Sequence, residues 1–205
     1  MSSGLVLIDK PKGFTSHDVV AKLRGIAGTR RVGHAGTLDP MATGLLLVGV
    51  NAGTKLLTFL VGASKTYEAT LRLGASTVTD DAEGELVAVA ASELVRQITD
   101  EQIEAAIDSL RGSINQVPSS VSAIKVDGKR AHERVRAGEV FELASREVTI
   151  SQLDVTEIRR SENAIAIDIE VRDVEHLENI ITAVEADSDV AQVLQSRRHQ
   201  VTLEK

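Results

Sequence analysis

The sequence predicts an α+β fold: a mixed, mainly antiparallel sheet with flanking helices. Three observations lead there. Residues Lys65–Leu73 alternate cleanly, with Tyr67, Ala69, Leu71 and Leu73 on one face and Thr66, Glu68, Thr70 and Arg72 on the other, the period of a half-buried strand. The segments Val121–Val126, Val148–Ile158 and Ala164–Val171 also read as strands. They follow one another without an intervening helix, which favours antiparallel neighbours over βαβ units. Two helical stripes accompany them.

In chain order, Leu5–Ile8 reads as a short buried strand and Lys10-Pro11-Lys12-Gly13 as a turn. Ser16 is the expected N-cap of a helix whose apolar residues Val19, Val20, Leu23 and Ile26 fall at helical spacing, ending near Gly28. Gly44–Val50 is a second buried strand and Ala52–Leu60 a short helix. Thr99-Asp-Glu-Gln102 is a capping box. It opens a helix with Ile103, Ala106, Ile107 and Leu110 on one side and Gly112 as its stop. Residues 164–198 read as strand, helix, strand, with a helical stripe at Leu177, Ile180, Ile181 and Val184.

Composition bounds the function. The hydrophobic share of 42% and charged share of 26% are ordinary for a globular protein. There is no cysteine, which excludes disulfides and thiolate metal sites. The five histidines are scattered without ligand spacing, so no metal is expected. The N-terminus has no signal-peptide pattern, and the longest apolar run is too short to span a bilayer. A cytoplasmic protein without membrane contact is the expectation. The net charge of −7 argues against a general nucleic-acid binder, but its distribution is uneven. Residues 1–62 carry seven Lys/Arg against three Asp/Glu, residues 63–162 carry 12 against 18, and residues 163–205 four against nine. The cations Lys10, Lys12, Lys22, Arg24, Arg30 and Arg31 thus accompany residues 33–44, where a phosphate backbone could dock.

Residues 33–44 read Gly-His-Ala-Gly-Thr-Leu-Asp-Pro-Met-Ala-Thr-Gly. Pro40 fixes its own φ and pushes Asp39 towards an extended conformation. The three glycines permit close approaches. Taken alone, this is equally the signature of a surface Asx turn. Tyr67, the only tyrosine in the chain, reads by periodicity as a core residue of a strand face.

The wider context changes that reading. Gly4-Leu-Val-Leu-Ile-Asp-Lys-Pro-Lys-Gly-Phe-Thr-Ser16 precedes the motif, and Lys65-Thr-Tyr-Glu68 follows it. Then come Leu73-Gly-Ala-Ser-Thr-Val-Thr-Asp-Asp-Ala-Glu-Gly84 and Gln116-Val-Pro-Ser-Ser-Val-Ser-Ala-Ile-Lys-Val-Asp-Gly-Lys-Arg130. In this order the segments resemble the TruB family of tRNA pseudouridine synthases over roughly residues 4–160. The resemblance implies a pseudouridine synthase-like sheet with a cleft across its middle. The implied activity is isomerisation of the uridine at position 55 in the TΨC arm of tRNA, without cofactor. It further implies Asp39 as nucleophile and Tyr67 as the aromatic that stacks on the flipped base. His34, Lys10, Lys12, Gly36 and Thr37 would be substrate-binding residues. Lys125 and Arg130 would contact substrate or cap a hairpin.

Beyond about residue 160 the likeness stops. The family's Cys-Ser-x-Gly-Thr-Tyr-Ile-Arg segment, whose arginine pairs with the catalytic carboxylate, has no counterpart. Arg172, just after a strand, is the candidate replacement. The expected organisation is therefore a shortened catalytic region at 1–160 and a β-α-β unit at 161–205. That unit weakly resembles half of an ACT domain of the Rel/Spo type and could mediate self-association. Alternatives to the enzyme are a tRNA-binding remnant or chimera without turnover, and a regulatory protein acting through its tail.

Overall fold

The computed structural model describes residues 2–79, 81–116, 125–126, 129–130, 145–173 and 191–202. Its centre is an eight-stranded sheet. Strand β1 (Gly4–Lys10) leads by a turn into α1 (Ser16–Ala27), followed by β2 (Val32–Ala35) and β3 (Thr43–Val50). A 3₁₀ segment (Asn51–Leu56) and α2 (Leu57–Leu60) connect to β4 (Ser64–Leu73). Next come the hairpin strands β5 (Ala75–Thr77) and β6 (Leu86–Val89), helices α3 (Ser92–Gln97) and α4 (Asp100–Ser109), and β7 (Gly112–Gln116). The short β8 (Lys125–Val126) and β9 (Lys129–Arg130), then β10 (Arg146–Arg160), β11 (Ile165–Asp173) and β12 (Ala191–Thr202) complete the order.

The strands line up as β1-β3-β12-β4-β11-β10-β7, with β2 also on β3. All pairings in this sheet are antiparallel except β3 with β12. The mixed, mainly antiparallel α+β architecture read from the sequence is the one observed. One edge of β3 is shared: β2 covers Leu47–Val50, and β12 meets Thr43 and Gly44. On its other side β12 runs along the whole of β4.

Alternation explains the core. Tyr67, Ala69 and Leu71 of β4 and Ile165, Ile167, Ile169 and Val171 of β11 are buried together with Leu46 and Val48 of β3. Each such Val, Leu or Ile side chain removed from water stabilises the fold by about 1.5–3 kcal/mol. Val19 and Val20 of α1, with Ile103 and Ile107 of α4, join the same cluster.

Several expectations are corrected. β1 is an edge strand, not a buried one: Leu5 and Leu7 face outward, Leu7 67% exposed, while Val6 and Ile8 pack inward. The N-cap of α1 is Thr15, which forms a capping box with Asp18. Ser16 lies one position inside, so its hydroxyl is available for another task. Ile26 sits on the outer face at 82% exposure, because the stripe turns away from the sheet before Gly28 ends the helix in a left-handed conformation. Gly112 does not stop α4. The helix closes at Leu110, and Gly112, with φ 82°, begins β7. The capping box at Thr99–Gln102 is as read.

The stripe at Leu177–Val184 and residues Val121–Ile124 lie outside the described residues. The strands expected around that stripe are β11 and β12, and both flank β4 in the main sheet. The register sets Arg197 opposite Thr43 and Glu68, and Arg198 opposite Gly44 and Tyr67.

Candidate active site

Asp39 sits on the connection between β2 and β3. Gly36, with φ 83°, lets the chain leave β2 sharply, a conformation that L side chains resist. The loop is then fixed from below. The Ser16 hydroxyl accepts the Leu38 N–H at 2.9 Å and donates to the Leu38 carbonyl at 3.2 Å. Leu38, Met41 and Ala42 sink into the core on either side of Asp39. The Ala42 N–H donates to the Asp39 carbonyl at 3.1 Å, closing the turn that Pro40 prepares.

Lys10 clamps the same loop from β1. It is fully buried, and its Nζ donates to the carbonyls of Pro11 (3.1 Å), Phe14 (2.5 Å) and Pro40 (3.3 Å). The Gly13 N–H also donates to Pro40, at 2.7 Å. The Lys-Pro-x-Gly turn and the Asp-Pro turn are thereby one unit. Burial lowers the Lys10 pKa, while the charges of Asp39, Asp18 and Glu83 act to raise it.

The Asp39 carboxyl is held above its ordinary range. Burial is the main cause, and the charges of Asp81 and Glu83 push the same way against the pull of Lys10. Sequence reasoning assigned no role to Asp81 or Glu83. They belong to the β5–β6 loop, where Asp81 Oδ1 accepts the Thr79 hydroxyl (2.6 Å) and the N–H groups of Glu83 (2.9 Å) and Gly84 (3.1 Å). Gly84 is required there, since a Cβ would lie 2.3 Å from Thr79 Oγ1. The signal for this loop was the Thr-Asp-Asp-Ala-Glu-Gly run itself: a carboxylate two residues before a backbone donor and three before a glycine.

The other candidates fall into two groups. His34 lies on β2, beside the loop. Its Nδ1 is 3.1 Å from the Gly36 carbonyl, and a carbonyl only accepts, so Nδ1 carries the proton. The His34 ring meets His17 edge-on at 6.3 Å. Tyr67 is buried on β4, within the core cluster that also holds Leu38 and Met41. Gly36 shapes the loop, whereas Lys12 and Thr37 are exposed on the two turns. Lys65, next to Tyr67, is structural: its buried Nζ donates to the carbonyls of Val61 and Ala63. Arg172 reaches Ser64 Oγ at 3.4 Å. Among the described residues, the charges acting most strongly on Asp39 are those of Asp81, Lys10 and Glu83. The backbone of Lys125 and Arg130 forms the β8–β9 pair. Among the described residues, no three His, Asp or Glu side chains gather as a metal site, and no helix is long and apolar enough to cross a membrane.

The mixed sheet, with Asp39 on the turn before the inner strand β3, has counterparts among solved structures. The chain is similar to a chain of a Cbf5-Nop10-Gar1 complex, with TM-score 0.68 and 24% identity over 97% of this chain and 48% of that one. It is also similar to a crystal structure of a pseudouridylate synthase, with TM-score 0.50 and 14% identity over 98% and 63%. Residues 24–174 match the model of the TruB family pseudouridylate synthase N-terminal domain, and the chain belongs to that family. Among its relatives are the tRNA pseudouridine synthases B of Arthrobacter sp. (strain FB24), 58% identical over 83% of this chain, and of Corynebacterium diphtheriae, 56% identical over 82%. The matches take in 55% and 56% of those proteins, so this chain spans about half the length of the relatives it matches. The family match ends at residue 174 and gives an ACT-like unit no support.

Proposed function

We propose that the protein isomerises uridine to pseudouridine in tRNA, at position 55 of the TΨC arm, with Asp39 as the nucleophile. The observation behind this is the presentation of Asp39. Its carboxylate stands on a turn tied down by Ser16 and Lys10, in a family named for the reaction. The reaction breaks the bond between the ribose and uracil N1 and forms one between the ribose and uracil C5. N1 gains a proton and C5 loses one, so nothing is oxidised, reduced or hydrolysed. A carboxylate that attacks the flipped nucleotide divides one difficult step into easier ones. The base must leave the stack to be reached. Tyr67 would stack on it, and His34 would contact the RNA beside it with Nδ1 engaged by Gly36. Lys10 positions the loop, and Lys12, Gly36 and Thr37 would line the approach. A protein acting on tRNA in this way would work in the cytoplasm.

The test is release of tritium from unmodified tRNA labelled at uridine C5. The expected result is release by the wild type, none by Asp39→Asn, and tRNA binding by both. Binding without release by the wild type would overturn the enzyme in favour of an RNA-binding protein without turnover. That second reading has one observation behind it, the absence of the family's arginine-bearing segment.

A further inference from the structure

The acidic surroundings of Asp39 raise a problem for an RNA substrate. Asp39, Asp81 and Glu83 face one buried lysine. A neutral uracil can enter such a place, but a phosphate backbone is repelled. The backbone therefore needs cations elsewhere. Between Asp18 and Glu68 the sequence holds six Lys/Arg residues and a single acid, Asp39. Three of the six, Arg24, Arg30 and Arg31, cluster where α1 ends and β2 begins.

That junction is hollow. A cavity of about 640 Å³ is lined by Arg24, Gly25, Gly28, Thr29 and Arg30. Gly25 and Gly28 border open space, since a Cβ at either position would meet no atom within 4 Å. Arg24 and Thr29 are held in place. Arg24 Nη2 donates to the Val32 carbonyl at 3.3 Å, which commits one of the five guanidinium N–H groups and leaves a planar fork. The Thr29 hydroxyl donates to Asn51 Oδ1 at 2.8 Å and accepts the Arg31 N–H at 3.2 Å. Among the described residues no carboxylate pairs with Arg24, Arg30 or Arg31, whereas Arg96, Arg111, Arg159 and Arg160 all have acidic partners. β2 then runs from this cavity towards the Asp39 loop, four residues or ~13 Å.

We infer that the cavity at the end of α1, between Arg24 and Arg30, is a docking site for a backbone phosphate of the RNA, set apart from the pocket that takes the base. The inference rests on the RNA reading above. Guanidinium forks suit phosphate geometry, and β2 acts as a ruler between the anchor and the reacting nucleotide. The competing explanation is that these arginines only offset the negative end of the α1 dipole.

The experiment measures Kd for an unmodified tRNA transcript against salt concentration, in the Asp39→Asn background so that no turnover intervenes. The variants are Arg30→Ala, Arg30→Lys and Arg24→Ala/Arg30→Ala, with Arg96→Ala as the control for a cation already paired. Arg30→Ala is expected to weaken binding about tenfold at low salt and to reduce the log–log salt slope by about 1. The double variant should lose more, Arg30→Lys should keep the slope, and Arg96→Ala should match the parent. Urea midpoints equal to the parent's verify that the variants are folded. Parent and Arg30 variants with the same Kd and slope would overturn the docking site and leave the RNA reading standing. A parent that binds no tRNA would overturn both.

Discussion

Replacing Ser16 with alanine removes a hydroxyl that serves both the N–H and the C=O of Leu38, at 2.9 and 3.2 Å, in a spot shielded from water. Alanine fits the space and is a good helix former, so the perturbation is confined to those two bonds. A buried backbone group left without its partner costs about 1–3 kcal/mol. The longer bond sits at the low end, so the sum is about 2–4 kcal/mol. With a urea slope of ~2 kcal/mol/M, the unfolding midpoint should fall by about 1–2 M with the slope unchanged. The residue after Leu38 is Asp39, so the loosened loop should also misplace the carboxylate. A displacement on the order of 1 Å costs about a hundredfold in a positioned reaction. In the tritium-release assay kcat should drop on that order while tRNA affinity stays within twofold. A midpoint shift under about 0.3 M, or an unchanged kcat, would refute the claim that Ser16 holds the nucleophile's turn.

Three further substitutions have defined outcomes. Gly53→Ala should lower Tm by about 5–10 °C, because a Cβ there would lie 2.1 Å from the Gly4 carbonyl oxygen and force β1 off its neighbour. Gly25→Ala, in a helix with open space around it, should lower it by nothing. Asp39→Asn should be more stable than the wild type at neutral pH. The folded pKa of Asp39 lies above the unfolded one. The folded state therefore binds more protons between the two values, and stability falls as pH rises through that window. The penalty is complete above the folded pKa and absent below the ordinary aspartate value. Urea midpoints of the two proteins should therefore diverge above that window and converge below it. Midpoints that differ equally at acid and neutral pH would show that the carboxyl is not destabilised by its surroundings.

The sheet was legible where burial is one-sided. β4 announces itself by period, and β10 and β11 by apolar content, because each has one face in the core. β1 was misread because its run of Leu, Val, Leu and Ile looks buried in the sequence, yet only one neighbour, β3, covers it. β5 and β6 went unseen: β5 is only three residues long, and Leu86, Val87 and Val89 of β6 are all exposed, so no core imposes a pattern there. In the site, Asp39 and Tyr67 were singled out as candidates through motif order. Lys10 was expected among the substrate-binding residues, since nothing in a Lys-Pro turn tells that its amine reaches three carbonyls. Asp81 and Glu83 act on Asp39 through space from a loop more than forty residues away, a relation that only the folded chain creates.

The position of β12 has a consequence for how the chain assembles. Every other strand of the main sheet precedes it, and it alone joins β3 to β4. On the ribosome, the piece built from β1, β2 and β3 and the piece built from β4, β11, β10 and β7 are complete before their seam is. Until residues 191–202 have emerged, the edge of β4 and the start of β3 at Thr43–Gly44 stand open with unpaired N–H and C=O groups, the kind of surface on which nascent chains associate wrongly. The seam also joins residues 43–44 to 197–198, among the longest sequence separations in the molecule, and such contacts form slowly. The middle of the sheet, where the Asp39 loop is rooted, is thus the last part of that sheet to be made whole.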